Sequence, residues 1–134
     1  MAIKSASLKI NTNNDFEIID ITSQINNLID INEGIISIFS RHSTSAIVVN
    51  ENESGLLNDL EFMLDNVVSD KFTYQHDRID NNARSHLKSF LLSSSETLPV
   101  KNGKLDLGTW QSVFFVELDG PRHARTITLT MVGE

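Results

Sequence analysis

The chain has 134 residues, of which 40% are hydrophobic and 22% charged, and its formal net charge is −7. This is one domain's worth of an ordinary globular composition, not that of a disordered chain. The absence of cysteine excludes disulfide frameworks, thiolate metal sites and cysteine nucleophiles, and the acidic balance argues against broad binding to nucleic acid.

Met1-Ala2-Ile3-Lys4-Ser5 lacks the apolar core of a signal peptide, and no apolar run approaches the ~20 residues of a membrane span. A cytoplasmic protein with no membrane or nucleic-acid partner is expected. There is no linker, repeat or low-complexity tract, so a single domain over 1–134 is the economical reading.

The first third reads as strands. Ala6, Leu8 and Ile10 alternate with polar residues, Asn11 to Asp15 is turn-like, and Phe16 to Ile21 follows as a second strand. Thr22 or Ser23 is placed to cap a short helix carrying Ile25, Leu28 and Ile29. After Gly34, Ile35 to Phe39 and Ala46 to Val49 read as buried strands separated by the polar segment Arg41 to Ser45.

The middle reads as helical. Leu56, Leu57, Leu60, Met63, Leu64 and Val67 recur at helical spacing and predict one apolar stripe, with Glu51 and Glu53 near its start, where the helix dipole favours anions. A second helix is predicted after Asp80 or Asn81, with a stripe of Ala83, Leu87, Phe90 and Leu91. The last third returns to strands. Asn102-Gly103 between apolar residues signals a tight hairpin, Val113 to Leu118 is β-rich, Asp119-Gly120-Pro121 marks a turn, and Ile127, Leu129 and Met131 alternate with threonines. Strands, then helices, then strands without regular βαβ alternation predict an α+β domain with largely antiparallel sheets.

The candidate chemistry starts from four histidines, His42, His76, His86 and His123. His86 borders the apolar stripe of its helix, as a core-edge histidine or as a ligand. His76 precedes the same helix in Gln75-His76-Asp77-Arg78-Ile79-Asp80-Asn81-Asn82, and the two imidazoles could converge on a divalent metal with a third ligand from elsewhere. Their spacing matches no compact metal motif. His42 lies in Arg41-His42-Ser43-Thr44-Ser45 between two apolar strands, a placement that marks a sheet end lining a pocket or an ordinary loop. No nucleophile-elbow pattern surrounds any serine, which disfavours a Ser–His–Asp triad.

Arg122 and Arg125 make the turn after Gly120 the densest cationic spot in an acidic chain, suited to gripping phosphate or to pairing with the protein's own carboxylates. Glu117 shares a strand face with Val113 and Phe115, as a metal ligand, a general base or a partner of one of these arginines. Trp110 is the only tryptophan.

Arg41 to Ser45, Asn50-Glu51-Asn52, His76 with Asp80 to Ala83 and His86-Leu87, Leu107 to Gln111, and Glu117 with Gly120 to Arg122 and Arg125 occur in the same order as in the YjbQ family, which the chain resembles from about Gly34 onward. That family is described as secondary thiamine-phosphate synthase. The resemblance implies a β-sandwich of mostly antiparallel strands with two or three helices, assembling as a homotrimer, with a pocket near a subunit boundary. It also implies transfer of a pyrimidine diphosphate to a thiazole phosphate, giving thiamine phosphate and pyrophosphate. Ser43 and Ser45 stand where many relatives carry Thr and Ala, and Asn81 where Asp is common.

The charge balance of that reaction distributes the roles. Arg122 and Arg125, with Ser43, Thr44 and Trp110, are expected to hold the phosphorylated substrate. His42, His76 and His86 are expected to ligate a divalent metal, Zn or Mg, and His42, His86 and Glu117 to be catalytic. A zinc-dependent hydrolase of a small phosphorylated metabolite and a non-catalytic trimeric anion-binding module are the alternatives.

Overall fold

Alternation along the strands sets the architecture. The computed structural model describes residues 1–134. In chain order the elements are β1 (Ala2–Ile10), β2 (Glu17–Asp20), α1 (Thr22–Leu28), β3 (Gly34–Ser40), β4 (Ser45–Glu51), α2 (Ser54–Val67), a 3-10 turn (Gln75–Arg78), α3 (Ala83–Leu92), β5 (Ser95–Lys101), β6 (Lys104–Leu105), β7 (Gln111–Glu117) and β8 (Arg125–Gly133). Every strand pair is antiparallel. One sheet has the order β1-β8-β3-β5-β6 and the other β2-β7-β4, giving the expected single α+β domain with three α-helices.

The core lies between the sheets. Ile36 and Ile38 of β3, Ile47 of β4, Val113 and Phe115 of β7, and Ile127, Leu129 and Met131 of β8 are buried in it, together with Ile21 and Ile25. Each aliphatic side chain of this kind stabilises the fold by about 1.5–3 kcal/mol when fully buried. In β8 the positions that alternate with the threonines all point inward, and Arg125 is the first of them. Asn102 and Gly103 both take positive φ, 53° and 76°, and turn β5 into β6 as the Asn-Gly pair predicts.

The helices depart from the sequence reading. The α2 stripe is split: Leu64 is buried, while Leu56, Met63 and Val67 face outward with Phe62. In α3 only Ala83 of the expected apolar stripe is buried, and Leu87, Phe90 and Leu91 are exposed. The reason lies in what α3 covers. It packs over strand ends whose carbonyls need donors, so it turns hydroxyls toward them: Ser85 donates to Leu118 O at 2.7 Å and Ser89 to Ser45 O at 2.6 Å.

Helix starts also differ. Neither Thr22 nor Ser23 caps α1; instead Asp20 Oδ1 accepts from the Thr22 amide at 3.0 Å. Glu53 caps α2, accepting from the Gly55 and Leu56 amides at 2.6 and 2.9 Å, and these bonds hold its carboxyl below the usual range. Asn82 stands at the cap position of α3, and Asp77 Oδ1 accepts the Ala83 amide at 2.9 Å. No helix is long and apolar enough to cross a membrane.

Candidate functional site

Two connections pass from one sheet to the other at the same end of the sandwich. Residues 41–44 join β3 to β4, and residues 118–124 join β7 to β8. Period-two alternation puts Glu117, the last residue of β7, and Arg125, the first of β8, on inward faces. They meet between the sheets. Glu117 is 0% and Arg125 5% exposed.

A buried ion pair is tolerated only when its remaining hydrogen-bonding capacity is also met. Arg125 Nε donates to Glu117 Oε1 at 2.8 Å and Nη2 donates to Glu117 Oε2. Thr12 Oγ1 donates to Oε1 at 2.7 Å, and the Asp119 amide donates to Oε2 at 3.1 Å. Arg125 Nη2 also reaches Thr44 Oγ1 at 3.0 Å. Burial pushes the Glu117 carboxyl up, but the bonds from Arg125, Thr12 and the Asp119 amide outweigh it and hold the group below the ordinary glutamate value.

The pair is the floor of the site rather than part of its surface. Glu117 has no exposure through which to touch a ligand, so the catalytic role expected for it gives way to a structural one. Arg125 keeps only Nη1 without a protein acceptor, at the edge of the trough above.

Gly120 belongs to the same construction. A Cβ there would lie 2.2 Å from Asn14 O and 2.8 Å from Glu117 Cγ, so only glycine lets the connection close over the pair.

Above the floor lies a polar trough of about 360 Å³, walled by Arg41, His42, Ser43, Thr44, Asp80, Asn82, His86, Asp119, Arg122 and Arg125. It continues into a second hollow of about 500 Å³ that shares Arg41, His42, Ser43 and His86 and adds Phe39, Phe90 and a rim of serines. Of the residues singled out in the sequence, His42, Ser43, Thr44, His86, Arg122 and Arg125 line this trough.

The trough wall is held by a chain of bonds. His76 Nε2 donates to Asn82 Oδ1 at 3.1 Å, and Asn82 Nδ2 donates to Asp119 Oδ2 at 2.9 Å. Arg122 donates to the same Oδ2 from Nη2 and to Asp119 O from Nε, both at 2.9 Å, and its amide donates to Thr12 Oγ1. Arg122 Nη1 and the whole Arg41 guanidinium have no protein partner.

His42 is fixed by its backbone neighbour. The Thr126 amide donates to His42 Nε2 at 2.8 Å. Burial lowers the His42 pKa, and the positive charges of Arg125, Arg122 and Arg41 lower it further against the opposing Glu117.

The expected metal centre does not form from these residues. His76 and His86 meet edge to face with ring centroids 4.7 Å apart, but His42 has given its acceptor nitrogen to Thr126. No three His, Asp or Glu side chains are gathered closely enough to hold an ion together. Trp110 is likewise apart. It sits before β7 at the opposite end from Glu117 and is 73% exposed, so within one chain it does not reach the trough.

Sequence reasoning passed over four participants. Arg41 lies inside a motif whose distinctive residue is its histidine. Asn82 falls just after Asp80 and Asn81, the positions read as the helix cap, and Asp119 reads as part of a turn. Thr12, buried beneath the trough, read as part of a polar turn and carries no local signal of its role.

Fold and site together define a small antiparallel α+β sandwich with a guanidinium-lined trough at one end. The chain belongs to the UPF0047 protein YjbQ-like family, whose model matches residues 6–134. It is 50% identical to a UPF0047 protein of Methanothermobacter thermautotrophicus over 100% of this chain and 95% of that one. It is 34% identical to the UPF0047 protein YugU of Bacillus subtilis, over 95% and 98% of the two chains. Among solved structures it resembles a protein of Sulfolobus solfataricus, described as of unknown function, with a TM-score of 0.94, 40% identity and 99% coverage of both chains. These descriptions name no activity.

Proposed function

We propose that the trough is an active site for a small phosphorylated metabolite, and that the reaction is the thiamine-phosphate synthase type implied by the sequence resemblance. The observation that carries this reading is a set of open donors. A chain of net charge −7 brings three guanidinium groups to one trough; Glu117, Asp119 and Asp80 balance their charge, yet Arg41 and the Nη1 atoms of Arg122 and Arg125 keep N–H groups without a protein acceptor. Guanidinium N–H groups left open in this way match the oxygens of a phosphate.

In that reaction the bond between the pyrimidine methylene carbon and the diphosphate oxygen breaks. The diphosphate leaves with the electron pair, and the thiazole nitrogen forms the new bond to the carbon. The barrier falls when the departing anion is held more tightly than the bound substrate. Arg41, with the free Nη1 atoms of Arg122 and Arg125, is placed for that work. His86 lines both hollows and is the side chain assigned to the reacting centre between them. Ser43 supplies a hydroxyl at the rim, while the buried Thr44 hydroxyl holds Arg125 in the floor. The three histidines do not offer a shared ligand set, since only His76 and His86 meet and His42 Nε2 accepts from the Thr126 amide.

Self-association belongs to the same proposal. Phe62, Met63 and Val67 on α2, Phe72, and Phe90 on α3 are exposed apolar side chains of a kind that marks interaction surfaces. They support the homotrimer implied by the resemblance, which light scattering of the purified protein would test.

The deciding experiment supplies the pyrimidine diphosphate and the thiazole phosphate to purified protein and follows thiamine phosphate and pyrophosphate. Turnover that falls at least about tenfold in Arg122→Ala and His86→Ala supports the reading. Absence of product from the wild type, or unchanged turnover in His86→Ala, removes it. Tight binding of pyrophosphate without turnover would leave an anion-binding module instead.

A further inference from the structure

The bond between Thr126 and His42 determines more than the orientation of the ring. A backbone N–H can only donate, so His42 Nε2 must present its lone pair. A neutral imidazole carries one proton, which therefore resides on Nδ1. That nitrogen has no acceptor within the protein, and no side-chain nitrogen or oxygen is sealed from solvent without a partner. Nδ1–H is thus an open donor on a ring that walls both hollows.

The surroundings keep it in that form. The titratable and charged groups around the ring are Arg41 on its own connection, Arg122 and Asp119 on the β7–β8 connection, Arg125 and Glu117 beneath, and Asp80 and His86 across the trough. Glu117 is neutralised by Arg125, and Asp119 by Arg122. Burial disfavours a second proton on the ring first, Arg125 opposes it more than Glu117 favours it, and Arg122 and Arg41 add to the repulsion.

We infer that His42 binds the ligand's phosphate oxygen as a fixed neutral donor through Nδ1–H, beside Arg41 and Arg122, and acts neither as a metal ligand nor as a general base. This rests on the reading of the trough as a phosphate site and adds the role and tautomer of one residue to it. Both nitrogens are then committed: a metal at Nε2 would cost the Thr126 amide its acceptor, and a base at Nδ1 would need the opposite tautomer.

Two isosteres separate the nitrogens. In His42→Asn the side-chain amide lies where Nδ1 was and retains the donor. In His42→Gln the amide oxygen lies where Nε2 was and still accepts from Thr126, but the donor is lost. With inorganic pyrophosphate as the titrant in calorimetry, His42→Gln is expected to bind about ten- to a hundredfold more weakly than wild type, and His42→Asn within about threefold. Long-range ¹H–¹⁵N spectra of the wild type at pH 7.5 should show His42 protonated on Nδ1 alone, with that nitrogen shifting on addition of pyrophosphate.

An Nε2–H or doubly protonated ring, or pyrophosphate affinity unimpaired in His42→Gln, overturns the inference while wild-type binding leaves the phosphate site standing. Wild type that fails to bind pyrophosphate overturns both. The spectra require no substitution, so a variant that fails to fold does not decide the outcome.

Discussion

Arg122 and Arg125 are separated by two residues of one connection and do opposite things. Arg125 begins a strand on an inward position, so alternation drives it between the sheets, where its charge survives because Glu117, itself held by Thr12, and Thr44 answer it. Arg122 lies in the turn before the strand, is tethered to Asp119, and keeps one nitrogen free above the trough. The chemistry of a guanidinium is the same in both places. Burial decides which one holds the fold and which one meets a ligand. The same contrast separates the sealed floor from its open rim.

The largest effect should come from breaking the floor. Glu117→Ala leaves Arg125 buried and uncompensated, and a loss of about 3–5 kcal/mol is expected in urea denaturation; a loss below about 1 kcal/mol would mean that water enters and the floor is not sealed. Gly120→Ala should follow, at about 1–3 kcal/mol, because the added carbon must displace the Asn14 carbonyl that lies 2.2 Å from it.

Acid should attack the floor next. Glu117 titrates lower in the folded chain than its ordinary value of 4.5, so the unfolded chain takes up its proton first as pH falls. Its contribution is present in full well above 4.5 and is lost as pH drops through that value toward the folded one. Thermal melts from pH 6 to pH 3 should therefore show a falling Tm. Glu117→Gln should flatten this fall without abolishing it. Asp20 and Asp65, also held low, add to it.

The rim should behave in the reverse way. Arg41→Ala and Arg122→Ala are expected to change stability by no more than about 1 kcal/mol, as exposed charges do, while pyrophosphate affinity falls about tenfold in each. Equal losses of stability at rim and floor would erase the distinction. Smallest of all, Met63→Asp on the outer face of α2 should leave the stability of one chain within about 0.5 kcal/mol, while weakening any assembly that covers this face, as light scattering would report.

The strands were largely legible in the sequence, because period-two alternation is a local property: Ile127, Leu129 and Met131 point inward whatever else the chain does. The Asn102-Gly103 turn was legible for a similar reason, since its backbone demands residues that tolerate positive φ. The helical faces were not. An apolar stripe predicts burial only if something apolar lies beneath it, and α3 instead lies over carbonyls that require its serines. Of the site, the histidines and arginines stood out as scarce or clustered side chains.

The sequence by itself therefore determined the alternating strands, the tight turn and the supply of cationic and imidazole groups, since each depends on neighbours along the chain. Tertiary structure alone decided that Arg125 is spent on Glu117, that Thr12 lies under the trough, and that the Thr126 amide fixes the tautomer of His42. These are contacts between residues 8, 105 and 84 positions apart, and their partners are chosen by the packing of two sheets, which no local pattern encodes.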